Sequence, residues 1–361
     1  MDRSDLLLIE GKPGSGKSTL MKYFQRNLVK REPLAGEKPI VASFYFSHRE
    51  GEQQTNHANM LRSVLYDILD HNEEFFFHFQ RHYRQGVQPD GGHQWTYKSL
   101  KNILLSFAEN HPVGERIYLI VDAMDESDGR ERSDVIKLLC ELCAAKGPCV
   151  VKVFVASRPV RGIRGRLANI HKVIRLQDVN TSDILAFTKS FLGPEIDLSP
   201  EVIRQATEYI VQHAQGVFVW VNLVREELLR FAEDGGTTNQ LFGFLQSLPT
   251  ELEEFYGNIL RRLERGSAQY VEDGRRMLQF VLFTFRPLKV EELRQALAIS
   301  DGIDIEFPCS EESFIRDLTH GIERRIISCC GNLLEIKGDH SASFDIPWIN
   351  YKQILLTRYR K

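Results

Sequence analysis

Residues 6–24 read LLLIE-GKPGSGKST-LMKYF, and this stretch leaves the chain few folds to choose from. An apolar run suited to a buried strand enters a glycine-rich loop, Gly11-Lys12-Pro13-Gly14-Ser15-Gly16-Lys17-Ser18-Thr19, which opens directly onto a helical pattern. The loop satisfies G-x-x-x-x-G-K-[ST] at every fixed position, in the strand–loop–helix setting that gives the pattern meaning. Glycines at 11, 14 and 16 let the backbone approach an anion, with its N–H groups and the new helix's positive end directed at it. Lys17 brings a point charge to β- and γ-phosphates, and the Ser18 hydroxyl is a ligand for Mg²⁺. Gly11, Pro13, Gly14, Ser15, Gly16, Lys17, Ser18 and Thr19 are therefore the expected nucleotide-binding residues. A chance Gly-rich turn would not explain a strand before it and a helix after it.

The second informative stretch is Arg116-Ile117-Tyr118-Leu119-Ile120-Val121-Asp122-Ala123-Met124-Asp125-Glu126. A continuous apolar run ending in a carboxylate is what a buried parallel strand delivering an acid to its C-terminal edge looks like. Asp122 is the expected Mg²⁺ residue beside Ser18, and Asp125 or Glu126 is placed to orient or deprotonate an attacking water. The competing explanation is a solvated turn at the end of an ordinary strand. A further apolar strand, 150–156, ends in Ser157-Arg158-Pro159, where Arg158 can reach a γ-phosphate or can be a plain surface arginine. Arg161, Arg164 and Arg166 read as a solvated helix face.

Apolar runs at 40–46 and 172–176 supply two more strands, with helical patterns between them. The aromatic-rich segment 75–83 reads as a core-packing helix. Strands alternating with helices indicate an α/β domain with a largely parallel sheet, over residues 1–178. Strand signals then cease. Thr181-Ser182-Asp183 and Ser199-Pro200-Glu201 each open a helix, and further helices follow in an all-helical section, 179–265. A last section, 274–340, carries helical patterns and a hairpin-like Leu333-Leu334-Glu335-Ile336-Lys337-Gly338-Asp339, the order of a winged helix. Residues 341–361 are a divergent tail.

Composition narrows the partners. A net charge of -3, with 26% charged residues, makes nucleic acid an unlikely partner on this reading and gives no cause to expect an anionic membrane surface. No apolar run approaches the roughly 18–20 residues of a membrane span, and the polar start leaves no room for a signal peptide before the first strand. Six cysteines are too few for a disulfide scaffold. The expected location is cytoplasmic, with reduced thiols. Cys140-x-x-Cys143 with Cys149 nearby lacks the second ligand pair of a structural zinc site and reads as core.

Taken together, GKPGSGKST, I-V-D-A-M-D-E (120–126), A-S-R-P (156–159), Q-G-V-F-V-W-V (215–221), L-P-T-E-L-E-E-F-Y-G-N-I-L (248–260), R-P-L-K-V-E-E-L (286–293) and S-C-C-G-N-L-L-E-I (328–336) resemble the NACHT-type signal-transduction NTPases of the STAND class, especially the fungal set. The resemblance covers about residues 6–339. It implies an extra-strand P-loop sheet, then a helical domain, then a winged helix folding back over the nucleotide. It also implies an ATP or GTP switch, closed with diphosphate and self-associating with triphosphate, that hydrolyses slowly. Carried over, Lys17 and Ser18 bind phosphate and Mg²⁺, Asp122 is the Walker B acid, Asp125 and Glu126 support hydrolysis, and Arg158 senses the γ-phosphate.

The sequence departs from the family pattern in two places. It starts almost at the first strand, without the family's N-terminal effector, and it runs Phe344-Asp345-Ile346-Pro347-Trp348 where the family's His-bearing winged-helix segment is expected. His340 is out of register with that histidine, and no repeat sensor follows. A chain shortened at both ends is the expectation, with effector and sensor partners unknown. A nucleotide-binding module without productive hydrolysis, and a P-loop kinase or mechanical AAA-type ATPase, are the other readings. No motif decides between ATP and GTP.

Overall fold

The computed structural model describes residues 3–30, 39–48, 51–86, 95–111, 115–160, 162–163, 172–196, 198–284, 288–299, 311–337 and 343–345. They fall into two compact units, Met1–Phe242 and Gly243–Lys361.

The first unit is built on strands β1 (Asp5–Glu10), β2 (Ile40–Tyr45), β3 (Arg116–Asp122), β4 (Val150–Ser157) and β5 (Val173–Arg175), in the order β2-β3-β4-β1-β5 and all parallel. The insertion of β4 between β1 and β3 is the extra-strand arrangement that the family resemblance implies. Helices α1 (Lys17–Lys30), α2 (His57–His71), α3 (Phe76–Gly86), α4 (Tyr97–Asn110) and α5 (Arg132–Ala144) alternate with the strands.

Alternation along each strand sorts its side chains between the two faces. Ala42, Leu119, Val153 and Leu6 lie in register across the sheet. They join one core with Leu61 and Val64 of α2, Ile103 and Phe107 of α4, and Leu138 and Leu142 of α5. Their neighbours Ile9, Val41, Ile120 and Ala156 face the other way, onto Met21 and Leu28 of α1. Strands covered on both faces are largely apolar, which is why the middles of β1 and β3 read as unbroken runs, while Lys152 interrupts β4.

The segment 75–83 corrects one expectation. Phe75 is fully buried, at a gain of about 1.5–3 kcal/mol for such a side chain, but Phe76 and Phe77 are exposed. Only part of this aromatic set packs the core. The stretch 47–56, expected as loop, contains a short helical turn, Glu52–Thr55.

Three helices close the first unit: α6 (Thr181–Leu192), α7 (Pro200–Ala214) and α8 (Phe218–Glu233). Ser199 caps α7 as expected, accepting from the Val202 N–H. Helix α9 (Thr238–Ser247) was not announced by the sequence. The second unit holds α10 (Leu252–Leu263), α11 (Ala268–Phe283), α12 (Val290–Ala298), α13 (Glu311–Asp317) and α14 (Ile322–Cys330). An antiparallel pair, β6 (Glu335–Lys337) and β7 (Ser343–Asp345), follows. The hairpin expected within 333–339 is met in part: β6 lies there, but its partner strand, 343–345, falls in the segment read as tail. Cys329 and Cys330 are buried, and Cys140 and Cys143 pack against the main core, as their helical spacing indicated. Burial pushes the Cys143 thiol up to about 12. Arg161, Arg164, Arg166, His340 and nearly all of 341–361 lie outside the described residues. No helix among the described residues is long and apolar enough to cross a membrane.

Candidate nucleotide-binding site

Parallel strands bring their C-terminal ends to one edge, so β1, β3 and β4 deliver the glycine-rich loop, Asp122 and Ser157-Arg158 to the same place. The loop is bound to the sheet by the Gly11 N–H, which donates to the Ser157 carbonyl at 3.2 Å. Gly14 and Gly16 have φ of +77° and +91°, a region that L side chains rarely adopt. A Cβ on Gly11 would stand 2.3 Å from Ser15 Oγ. Glycine is thus favoured by conformation at 14 and 16, while at 11 a side chain would have to displace the Ser15 hydroxyl.

Lys17 opens α1, and its ammonium donates to the carbonyls of Gly11 at 2.8 Å and Lys12 at 3.0 Å. Burial holds its pKa below the ordinary lysine value, opposed by the charge of Asp125. The side chain hangs over the loop, within the field of three acids, Asp122, Asp125 and Glu126. Ser18 and Thr19 lie exposed in the first turn, and Pro13 is half-buried in the loop.

Asp122 is 2% exposed. Burial raises its pKa, and the Ser18 hydroxyl hydrogen-bonded to it and the Lys17 charge act against that rise. Its Oδ1 is buried without a hydrogen-bond partner among the described residues. A buried carboxylate oxygen left unpaired costs free energy that a cation would offset. With Ser18 beside it and Lys17 near, this donor set of hard oxygens fits Mg²⁺ accompanying a nucleotide phosphate.

The chain turns sharply after Asp122. Ala123 adopts a left-handed conformation, φ +51°, at a cost of about 1–2 kcal/mol for a residue other than glycine. The turn 124–126 then presents both acids. Asp125 Oδ1 accepts from the Arg158 backbone N–H at 2.9 Å, and its Oδ2 lies 3.2 Å from Arg158 Nε. Glu126 Oε2 accepts from the His48 N–H at 3.2 Å, and its Oε1 is 3.7 Å from Arg158 Nη2. Burial raises the Glu126 pKa, with the neighbouring Asp125 charge adding to the rise. The residues singled out from the sequence are therefore brought together at the loop, with Pro13 within it and Thr19 just beyond it in α1.

Three contributors were not found in the sequence. Arg132, the first residue of α5, donates to the carbonyls of Asp125 and Ser127 and, at 3.0 Å, to Ser127 Oγ. Asn180 donates through Nδ2 to the Ser15 carbonyl at 3.3 Å and the Gly216 carbonyl at 2.9 Å. The turn before α8 touches the loop through Gln215, whose Oε1 accepts from Lys12 Nζ at 3.0 Å, and Val219, whose N–H lies 3.4 Å from the Gly14 carbonyl. An arginine within the run Gly129-Arg130-Glu131-Arg132 looks like solvated surface, and an asparagine before a helix looks like a cap. The sequence signal for both was ordinary.

A loop of this kind between β1 and α1, with an acid at the end of β3 and β4 inserted between the two strands, decides the fold. The chain has the parallel-sheet architecture of a P-loop nucleoside triphosphatase. The family described as "Nephrocystin 3, N-terminal" matches residues 1–158. The chain is similar to the vegetative incompatibility protein HET-E-1 of Podospora anserina, 25% identical over 346 residues. That match takes in 93% of this chain and 23% of HET-E-1, so the chain spans about a quarter of the length of this curated relative. Among solved structures, Drosophila ORC bound to DNA is similar at a TM-score of 0.43 and 12% identity, covering 98% of this chain and 81% of that one. The Aeropyrum pernix ORC1 protein in complex with DNA is similar at a TM-score of 0.35 and 11% identity, covering 98% and 86%.

Both of these structures are described with DNA, and the expectation that nucleic acid is an unlikely partner is withdrawn. The expectation rested on a net charge, which sums over the whole chain and does not report how charge is distributed on any one face.

Proposed function

We propose that this chain is a nucleotide-dependent signalling switch that binds ATP or GTP with Mg²⁺, hydrolyses it slowly and thereby controls its own association. The observation that carries the reading is the arrival of the glycine-rich loop, the unpaired buried Asp122 oxygen and the Asp125–Glu126–Arg158 group at one sheet edge. Lys17 and the loop amides neutralise and orient the phosphates. Ser18 and Asp122 hold Mg²⁺, which supplies further charge neutralisation when bound. Glu126, whose pKa is raised by burial, orients or deprotonates the attacking water with Asp125 beside it. Arg158, already ion-paired to both acids, exchanges part of that pairing for the γ-phosphate.

The likeness to HET-E-1, a vegetative incompatibility protein, supports placing the switch in incompatibility signalling; membership of the NACHT class and a cytoplasmic location are parts of the same proposal. On this reading residues 1–178, 179–265 and 274–340 are the NTPase, helical and winged-helix sections, with β6 as one strand of the wing and its partner β7 in the segment 341–361. Binding of fluorescent ATP and GTP, phosphate release and light-scattering mass, each with and without Mg²⁺, test the proposal. Wild type is expected to bind with Mg²⁺, turn over slowly and gain mass with a non-hydrolysable triphosphate, and Lys17→Ala to bind at least tenfold more weakly. Equal binding by wild type and Lys17→Ala would remove the nucleotide site. Rapid turnover without a change of mass would replace the switch by a mechanical ATPase or a kinase.

A further inference from the structure

Asn180 immediately precedes α6, where an asparagine side chain ordinarily caps the helix by accepting from its first N–H groups. Here it makes no such bond. Its side chain is buried, 1% exposed, and its Nδ2 joins two carbonyls distant in sequence, those of Ser15 and Gly216. Its Oδ1 is buried without a hydrogen-bond partner among the described residues. The amide is thus turned toward the glycine-rich loop and not toward its own helix.

The orientation matters because the peptide group is planar and trans, so its C=O and N–H point in opposite directions. Drawing the Ser15 carbonyl toward Asn180 turns the Gly16 N–H the other way, into the concave side of the loop. That amide belongs to the set that faces an anion in such loops. Gly16, at φ +91°, can take the required conformation without strain.

The same side chain also reaches the turn that starts α8. Around it, Lys12 meets Gln215, the Gly14 carbonyl meets the Val219 N–H, and the Phe218 ring lies 3.5 Å from where a Gly16 Cβ would be. Three loop residues, 12, 14 and 15, are therefore hydrogen-bonded to the segment 215–219 or to Asn180. Gly216 is held from behind as well, since a Cβ there would stand 2.5 Å from Gln177 Cα. The turn has little room to move unless the loop moves with it.

We propose that Asn180 is a positioning residue: it sets the Ser15–Gly16 peptide for phosphate binding and couples occupancy of the loop to the first turn of α8. This rests on the nucleotide-binding reading above and adds the route by which binding is felt in the helices α6–α8. The experiment is hydrogen exchange of the full chain with and without Mg²⁺ and fluorescent ATP or GTP, together with the affinity for each. Wild type, Asn180→Ala and the near-isosteric Asn180→Asp are compared. Wild type is expected to show nucleotide-dependent slowing of exchange at both the loop and residues 214–221. Both variants are expected to bind about three- to tenfold more weakly and to lose the slowing at 214–221 while keeping it at the loop. A residue that merely stabilised the fold would instead raise exchange throughout and leave the nucleotide-dependent difference intact. Wild type that binds nucleotide with no change at 214–221 overturns the coupling, whether or not either variant folds. Variants that keep that change also overturn it. Wild type that binds no nucleotide overturns the functional reading itself, and this inference with it.

Discussion

Arg158 is held by Asp125 from two directions, through its backbone N–H at 2.9 Å and through Nε at 3.2 Å. The first contact fixes the chain after β4; the second restrains a guanidinium that is still 26% exposed on its side chain. A partly exposed arginine pair contributes little to stability. Its value here is in position, since the backbone bond keeps Arg158 at the loop even when the side chain turns away. Arg158→Gln is accordingly expected to bind nucleotide within about threefold of wild type and to release phosphate about 10²-fold more slowly. Single-turnover phosphate release at saturating nucleotide measures this, and unchanged turnover would remove Arg158 from the chemistry.

His57 provides a pH dependence that belongs to the fold and not to the site. It is fully buried at the start of α2, with the Phe46 ring edge-on and Glu131 Oε2 at 3.2 Å from Nδ1. Burial lowers its pKa from 6.5 to about 4; Asp128 and Asp134 oppose this, and Arg132 reinforces it. A folded pKa below the unfolded one means that the unfolded chain binds the extra proton, so stability falls as pH drops from about 6.5 toward 4. The full penalty below that window is about 3 kcal/mol. Urea midpoints at pH 7.5, 5.5 and 4.5 should decline, and His57→Gln should flatten that decline. A His57→Gln profile parallel to wild type would place the acid sensitivity elsewhere.

How much of this was legible in advance depended on whether a residue's role was local. The loop glycines, Lys17, Asp122 and the strands declared themselves because their chemistry and their neighbours in sequence agree. Asn180 and Arg132 did not, because each acts on backbone carbonyls that folding alone brings near: Ser15 is 165 positions from Asn180. Helix α9 escaped notice because Thr238–Ser247 has only a short apolar pattern beside a Gly-Gly turn. Phe76 and Phe77 misled for the opposite reason, since a run of aromatics suggests burial on every side while a helix on the surface buries only one.

Gly216 and Gly235 share nearly the same backbone conformation, φ +79° and +77°, in different surroundings. A Cβ at 216 would meet Gln177 Cα and Cβ at 2.5 Å each, whereas one at 235 meets nothing within 4 Å. Gly235→Ala should therefore cost only the left-handed penalty, about 1–2 kcal/mol. Gly216→Ala adds a backbone overlap that cannot relax cheaply and should cost at least twice as much, about 3 kcal/mol or more. Urea denaturation of the two variants in parallel provides the comparison. Equal losses would show that the turn before α8 can give way.

Arg132 reaches the acids from outside the site. Its guanidinium binds the Asp125 carbonyl at 2.8 Å and the Ser127 hydroxyl at 3.0 Å, and so supports a turn that enters through the left-handed Ala123. Without that support the strained turn has a less costly alternative, in which Ala123 relaxes and Asp125 and Glu126 swing from their places. Arg132→Leu keeps most of the side-chain volume and removes every donor. Nucleotide affinity should stay within about threefold, because none of the loop contacts is touched, while turnover falls about tenfold or more through misplaced acids. Arg132→Lys offers a single nitrogen where the guanidinium uses both Nε and Nη2, and should recover only part of the rate. Paired measurements of affinity and single-turnover rate separate this from general destabilisation, which would lower both together, and an unaltered rate in Arg132→Leu would show that the turn holds its shape unaided.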